Sequence, residues 1–287
     1  MKVISFSLEA GNRYYGKVDG TRFLIGSRVP YEGRKGLMNT TGTAEQKYDR
    51  AAFRPAHGFW ADFIHPTSVV EGGLYHTLNT YDSARFTFTF LQYAAHVPDG
   101  DFVRFMRALL MLPLAKEYFP DLKLSGGRIC RVGENDLEPL ETSGSTEGLM
   151  DYFNPSSAEV EDTEVIQSAR LVHWAQSDPE HRRVQIEVGI AHIRENLARY
   201  SSQYGLDGKA DTVCLLVVDI RHQGRAKSAA IIGALASADP VEALLQLGEP
   251  KYHARVLGLR REIKRLTDDG TLGNRKYSAA ARDFVAK

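Results

Sequence analysis

Near its amino end the chain alternates short β-favouring runs with turn pairs. Val3-Ile4-Ser5-Phe6, Arg13-Tyr14-Tyr15 and Arg22-Phe23-Leu24-Ile25 are separated by Gly11-Asn12 and Asp19-Gly20. Such pairs tolerate the backbone of tight turns, so the pattern predicts a small antiparallel sheet extending to about Tyr31. From Leu37 to Gly58 the sequence becomes polar and irregular and reads as a connector, with a short helix expected over residues 44–53. Period two returns at residues 85–91, where Phe86, Phe88 and Phe90 alternate with Thr87, Thr89 and Leu91. That is the pattern of a strand with one aromatic face. Asp82-Ser83 ahead of it predicts a hairpin pairing residues 74–81 with 85–91.

The period then lengthens. Phe102, Phe105, Met106, Leu109 and Leu110 trace one helical face, with Asp101 as the candidate cap and Pro113 as a kink or the end. From Glu164 onward helices dominate, and Asp178-Pro179 and Asp239-Pro240 each place a capping residue before a proline at the first helical position. The apolar run from Val213 to Val218 fits a buried strand or the middle of a core helix by periodicity alone, and its helical neighbours favour helix. These readings give an α+β protein, mainly helical. An N-terminal β element and connector covers residues 1–58, and a larger domain covers 59–287, with an acidic excursion near 132–165.

Composition narrows the partners. Lys+Arg and Asp+Glu both total 36, so the uniformly basic surface that grips nucleic acid is absent and no nucleic-acid partner is expected. Charge is uneven, however. No Lys or Arg occurs between Val132 and Ala169, a stretch holding ten acidic residues from Glu134 to Glu164, while residues 251–287 are rich in Lys and Arg. Such runs are ordinarily solvated faces, or else they pair or line a cleft. Cys130 and Cys214 are the only cysteines, too few for a disulfide framework, and are expected to be free and buried. No secretory signal is recognisable and no run approaches membrane-spanning length, so synthesis in the cytoplasm, no membrane insertion and a non-classical route to any external substrate are expected. His173, His181 and His192 match no zinc pattern, and Gly126-Gly127 lacks the surroundings of a phosphate loop. Neither metal nor cofactor is expected.

Cleaving a glycosidic bond requires a carboxylic acid that protonates the leaving oxygen and usually a second carboxylate or positioned water. Burial against apolar groups keeps such an acid protonated. Glu71 follows Val69-Val70 at the end of a short helical turn and precedes Gly72-Gly73, where the backbone can turn sharply towards the hairpin. Asp82 at the hairpin tip is the expected ionised partner, and the Thr87 hydroxyl on the returning strand is placed to orient water. Tyr81, Gln92 and Tyr93 are expected to meet sugar hydroxyls. Asp219, in the segment Asp219-Ile220-Arg221-His222-Gln223-Gly224-Arg225, is either a further substrate-facing carboxylate or a residue bridged to Arg221 at a helix end.

On these residues the chain resembles the lysozyme superfamily, in which a glutamate at a helix end is followed by a small β-hairpin and a helical lobe. Glu71, Asp82 and Thr87 are similar to the Glu, Asp and Thr triad of phage-type lysozymes. Phe90-Leu91-Gln92 followed by Val97-Pro98 resembles the hydrophobic-hydrophobic-glutamine segment of lytic transglycosylases. The likeness covers roughly residues 67–112. It departs from those patterns in a slightly longer Glu-to-Asp interval, an Asp-to-Thr interval shorter by one, and Gly72 in place of the transglycosylase serine. The resemblance implies a lysozyme-like fold with a small catalytic hairpin and a polysaccharide substrate, bacterial peptidoglycan first, cleaved by a muramidase or lytic transglycosylase. A chitosanase or chitinase is the related alternative, and a phage or secretion component that binds glycan or protein without catalysis is the alternative of another class.

Overall fold

A computed structural model describes residues 2–287. The architecture is α+β, 45% helix and 20% strand, with three separate sheets and none closed into a barrel. The chain forms two compact units, each assembled from two segments. Unit 1 comprises residues 1–47 and 74–189, and unit 2 comprises 48–73 and 190–287.

Unit 1 is built on a seven-stranded antiparallel sheet whose spatial order follows the chain: β1 (Ser5–Glu9), β2 (Arg13–Val18), β3 (Thr21–Tyr31), β4 (Arg34–Asn39), β5 (Leu78–Asn79), β6 (Thr87–Phe88) and β7 (Tyr93–Ala94). The first three strands and their two turns match the sequence pattern. Asn12 and Gly11 take φ of 57° and 76°, and Asp19 and Gly20 take 50° and 85°. The expected connector begins later than its composition indicated, because Leu37 and Met38 lie in β4, paired with Arg28 and Ser27 of β3, and Met38 also faces Asn79 of β5. Only a short 3-10 turn, Ala44–Gln46, occupies the rest of its unit 1 portion.

The hairpin expected over 74–91 is reduced to two-residue strands. Phe86, Phe88 and Phe90 are fully buried as expected, but so are their alternating neighbours Thr87, Thr89 and Leu91. Thr89 (φ 73°) and Gln92 (φ 56°) turn the chain out of the pleat, which ends the alternation of faces. Helix Asp101–Leu109 presents Phe102, Phe105, Met106 and Leu109 to this aromatic layer; its N-cap is Gly100, not the expected Asp101, which is the first helical residue and accepts from the Phe102 N–H at 2.8 Å. Phe86 meets Phe153 and Phe102 at ring separations of 4.7 and 5.7 Å, and Tyr118 stacks on Trp174 at 4.7 Å.

The acidic stretch is organised rather than loose. It spans the end of a three-stranded sheet, β8 (Leu122–Ser125), β9 (Arg128–Val132) and β10 (Leu137–Pro139), then helix Glu147–Phe153 and the start of helix Asp162–Ser177. Several of its carboxylates meet cations of the same unit. Glu141 accepts from Arg107 and Arg128, Arg85 bridges Glu147 and Asp151, and Lys35 pairs with Glu159.

Unit 2 begins with three consecutive helices, Arg50–His57, Phe59–Phe63 and His65–Val70. The apolar run 213–218 is helical, inside Asp211–Gln223, and every residue from Asp211 to Ile220 is buried, which marks the central helix of a bundle. Both proline boundaries hold. Asp178 accepts from the Glu180 N–H at 2.9 Å ahead of helix Pro179–Tyr204, and Asp239 accepts from the Glu242 N–H at 3.1 Å ahead of Pro240–Gln246. Helix His253–Asp268 follows, and the chain ends in a hairpin, β11 (Arg275–Ser278) and β12 (Asp283–Ala286), where the sequence had indicated helix. Phe284 of that hairpin packs with Trp60 and Phe63, and Tyr277 packs against Phe284. Cys130 and Cys214 are free and buried. Among the described residues no helix is long and apolar enough to cross a membrane.

Candidate functional site

Glu71 caps the C-terminus of helix His65–Val70, its N–H donating to the Thr67 carbonyl at 3.1 Å. Gly72 and Gly73 follow with φ of 82° and 70°, a pair of left-handed steps that a side chain would strain. The sequence placed Glu71 correctly at a helix end. Its partners within unit 2 come from two more helices. On Asp211–Gln223, Asp219, His222 and Gln223 stand at i, i+3 and i+4 and therefore share a face. Arg255 lies in the first turn of His253–Asp268. Gly258 lets that helix approach closely: a Cβ there would come within 2.7 Å of Val70 Cγ1, one residue before Glu71.

Arg255 is the hub. Its Nη1 donates to Glu71 Oε1 at 2.5 Å and to Gln223 Oε1 at 2.9 Å, while Nη2 and Nε hold Asp219 in a fork at 2.7 and 3.2 Å. Thr67 donates to Asp219 Oδ1 at 3.1 Å, and Arg225 Nε forms an ion pair with Oδ2 at 3.4 Å without hydrogen-bond geometry. Arg225 Nη1 also reaches the carbonyls of Leu244, Leu245 and Leu247. The Asp219 and Arg225 side chains are fully buried, Arg255 is 10% exposed and Glu71 13%. The network is thus a ladder, Glu71 to Arg255 to Asp219 to Arg225, running from the partly accessible carboxylate into the interior.

The electrostatics follow from that order. Burial opposes the charge on Arg255, but the Asp219 and Glu71 carboxylates outweigh it and raise its pKa. For Arg225 burial wins and the pKa is lowered, with Asp219 opposing. His222, whose Nε2 is 3.9 Å from Glu71 Oε1, has its pKa lowered chiefly by desolvation. Two carboxyl groups, Glu71 and Asp219, thus face two guanidiniums, Arg255 and Arg225. Within this unit Glu71 Oε1 is engaged by Arg255, and Oε2 accepts no hydrogen bond.

The other sequence candidates lie in unit 1. Asp82 accepts from Asn79 Nδ2 and from the Ala84 N–H, both at 2.9 Å, and so shapes its turn. The Tyr81 ring packs against Tyr31 with centroids 5.4 Å apart, and partial burial raises its phenol pKa. Thr87 is buried in β6 opposite Asn79 and Ala94. Gln92 is half-buried at a positive-φ turn. Tyr93 is fully enclosed, its hydroxyl donating to the Gln185 carbonyl at 2.6 Å, and burial raises its pKa. The Tyr93 phenol therefore serves the core, and its place beside Gln92 in the chain gave no sign of that.

No family model, curated protein or solved structure matches the chain.

Arg255 was not singled out by sequence, because one arginine in a basic stretch carries no local signal. The segment 219–225 drew attention, but the bridge expected between Asp219 and Arg221 is not formed. Asp219 pairs with Arg255 and Arg225, and the Arg221 guanidinium lies 5.8 Å from the Tyr200 ring centroid. Positions 219 and 221 are two apart on a helix and point away from each other, whereas Arg225 lies beyond the left-handed Gly224 cap, where the chain folds back. Among the described residues no group of three or more His, Cys, Asp or Glu is placed to hold a metal ion.

Proposed function

We propose that the protein is a lysozyme-like glycoside hydrolase of β-1,4-linked amino-sugar polymers, bacterial peptidoglycan first, with Glu71 as general acid. The supporting observation is the state of the Glu71 carboxylate: one oxygen fixed by Arg255, the other without a hydrogen bond in its unit, at a helix end followed by a Gly-Gly turn and short antiparallel strands. General acid catalysis requires a carboxyl oriented within about 0.5 Å of its working position and one oxygen left to carry the proton. In this reading Arg255 and Asp219 are positioning residues, with Asp219 too deeply buried to meet substrate, and Arg255 offsets the negative charge left on Glu71 after the proton departs. For hydrolysis, the resemblance to phage-type lysozymes is what assigns the second carboxylate to Asp82 and the water-orienting hydroxyl to Thr87. A transglycosylase needs neither, since the substrate's own hydroxyl attacks the anomeric carbon. Tyr81 and Gln92 remain the sugar-contacting candidates.

The test is release of soluble fragments from purified peptidoglycan, with chitosan in parallel. Glu71→Gln is expected to lower cleavage by about 10²–10⁴-fold, the usual contribution of a positioned acid, while keeping the wild-type melting temperature within a few degrees. Reducing ends together with loss in Asp82→Asn assign a hydrolase; anhydro ends with an active Asp82→Asn assign a transglycosylase. A wild-type protein inert on both polymers, or a fully active Glu71→Gln, overturns the reading.

A further inference from the structure

Unit 2 holds a cavity that shares no residue with the Glu71 network. Its volume is about 460 Å³, and its walls include Arg54, Phe59, Asp62, Thr271, Asn274 and Arg275. We propose that this cavity is a binding site for a carboxylate-bearing ligand, centred on Arg275.

Charge accounting carries the argument. Asp62, the one acidic wall residue, is already answered twice: Arg50 Nη1 donates to it at 2.7 Å, and Arg54 grips it through Nη2 at 2.7 Å and Nε at 2.9 and 3.0 Å. Arg54 Nη1 stays outside that pairing. Arg275 is different. Among the described residues its guanidinium makes no hydrogen bond and no ion pair, and its contact is with the Phe59 ring, 4.8 Å from the centroid. Its backbone is fixed by the β11–β12 ladder, where it pairs with Ala286, and by Tyr277 two residues later in the core. A guanidinium stacked on an aromatic ring and anchored at its backbone is pre-organised for a two-point hydrogen bond to a carboxylate.

The remaining walls describe the body of the ligand. Thr271 Oγ1 accepts from Arg50 at 3.3 Å and its hydroxyl bonds the Asp269 carboxylate, lowering the Asp269 pKa, so this wall residue is engaged within the protein. Asn274 spends its Nδ2 on the Gly270 carbonyl at 3.1 Å, which leaves Oδ1 to accept from a hydroxyl or an amide N–H. Phe59 offers an apolar face. A carboxylate combined with an amide or hydroxyl donor is shared by acidic acylated sugars and by acylated amino acids, and the test separates these two sources.

The cavity is tested by titrating the full chain with N-acetylmuramic acid, N-acetylglucosamine and N-acetylalanine, read by calorimetry and by amide chemical shifts. At least one of the two carboxylates is expected to bind, shifting the amides of Phe59 and Thr271, with N-acetylglucosamine at least about tenfold weaker because it lacks the charge-assisted pair. The tighter of the two carboxylates identifies the sugar or the peptide as source. Arg275→Gln is expected to lose about tenfold in affinity, and Arg275→Lys to fall between, keeping the charge without the fork. No carboxylate binding to wild type, shifts confined to other residues, or equal binding by Arg275→Gln overturns the proposal. None of these outcomes depends on glycan cleavage, so the site stands or falls separately from Glu71.

Discussion

Two glutamates of this chain meet the interior in opposite ways. Glu71 in unit 2 is held by Arg255, which in turn rests on the buried Asp219 and Arg225. Glu164 in unit 1 is fully buried and, among the described residues, pairs with no cation. It is bonded to the Thr80 hydroxyl, its Oε2 has no hydrogen-bond partner, and burial pushes its pKa up to about 7 from the ordinary 4.5, with the Thr80 bond opposing. Glu71 and Asp219 are answered by guanidiniums, as the buried Glu141 of unit 1 also is, whereas Glu164 meets the interior without a cation and burial raises its pKa. The raised pKa that marks a general acid is therefore displayed by Glu164, which has no access to solvent, while the accessible candidate sits in an ion-pair ladder. Perturbation alone does not locate a catalytic group; access and a free oxygen do.

The contrast is broken most directly at Asp219. Asp219→Ala leaves the fully buried Arg225 and the nearly buried Arg255 without their shared counter-charge, and removal of one member of a buried pair costs about 3–5 kcal/mol. Urea denaturation of wild type and variant at pH 7 measures it. A loss under about 1 kcal/mol would mean that water or rearrangement satisfies both guanidiniums and that the ladder does not position Glu71.

At Glu164 the expected signature is a dependence on pH. A folded pKa above the unfolded one means that the folded chain holds a proton which the unfolded chain releases between pH 4.5 and about 7. The stabilisation from the protonated carboxyl is complete below about pH 4.5 and is lost as pH rises through 7, a span worth about 3 kcal/mol. Glu164→Gln, which cannot ionise, should remove this fall. Its stability relative to wild type should be about 3 kcal/mol more favourable at pH 8 than at pH 4.5, by urea unfolding at both values. An unchanged difference between the two pH values would show that Glu164 stays charged in the fold.

Sequence pattern conveyed what depends on local chemistry. The β2 and β3 turns follow from Gly11-Asn12 and Asp19-Gly20, the helix starts from Asp178-Pro179 and Asp239-Pro240, and the end of a helix at Glu71 from the glycines behind it. It failed where the partner is distant. β5 to β7 are two residues long because Thr89 and Gln92 adopt positive φ, a conformation neither residue type favours and which the surrounding packing imposes. The terminal hairpin is stabilised by Phe284 against Trp60 and Phe63, more than 200 positions away in sequence, so its strands carry little period of their own. The same holds for the site. Glu71 and Asp219 drew notice as carboxylates in suggestive places, but their link is Arg255, 184 positions beyond Glu71, and no spacing rule connects them.

The finest distinction between the two carboxyl environments is made by their threonines. Each carboxyl has one: Thr67 beside Asp219, and Thr80 beside Glu164. Thr67 is one of several partners of a charged group, with Arg255 supplying two bonds to the same carboxylate, so Thr67→Val removes a supporting contact and leaves Asp219 satisfied. The expected loss is about 1 kcal/mol, the lower range for a hydrogen bond to a charged acceptor, and well below that of Asp219→Ala, by urea unfolding at pH 7. A loss as large as that of Asp219→Ala would mean that Thr67, rather than Arg255, holds the Asp219 carboxylate in place.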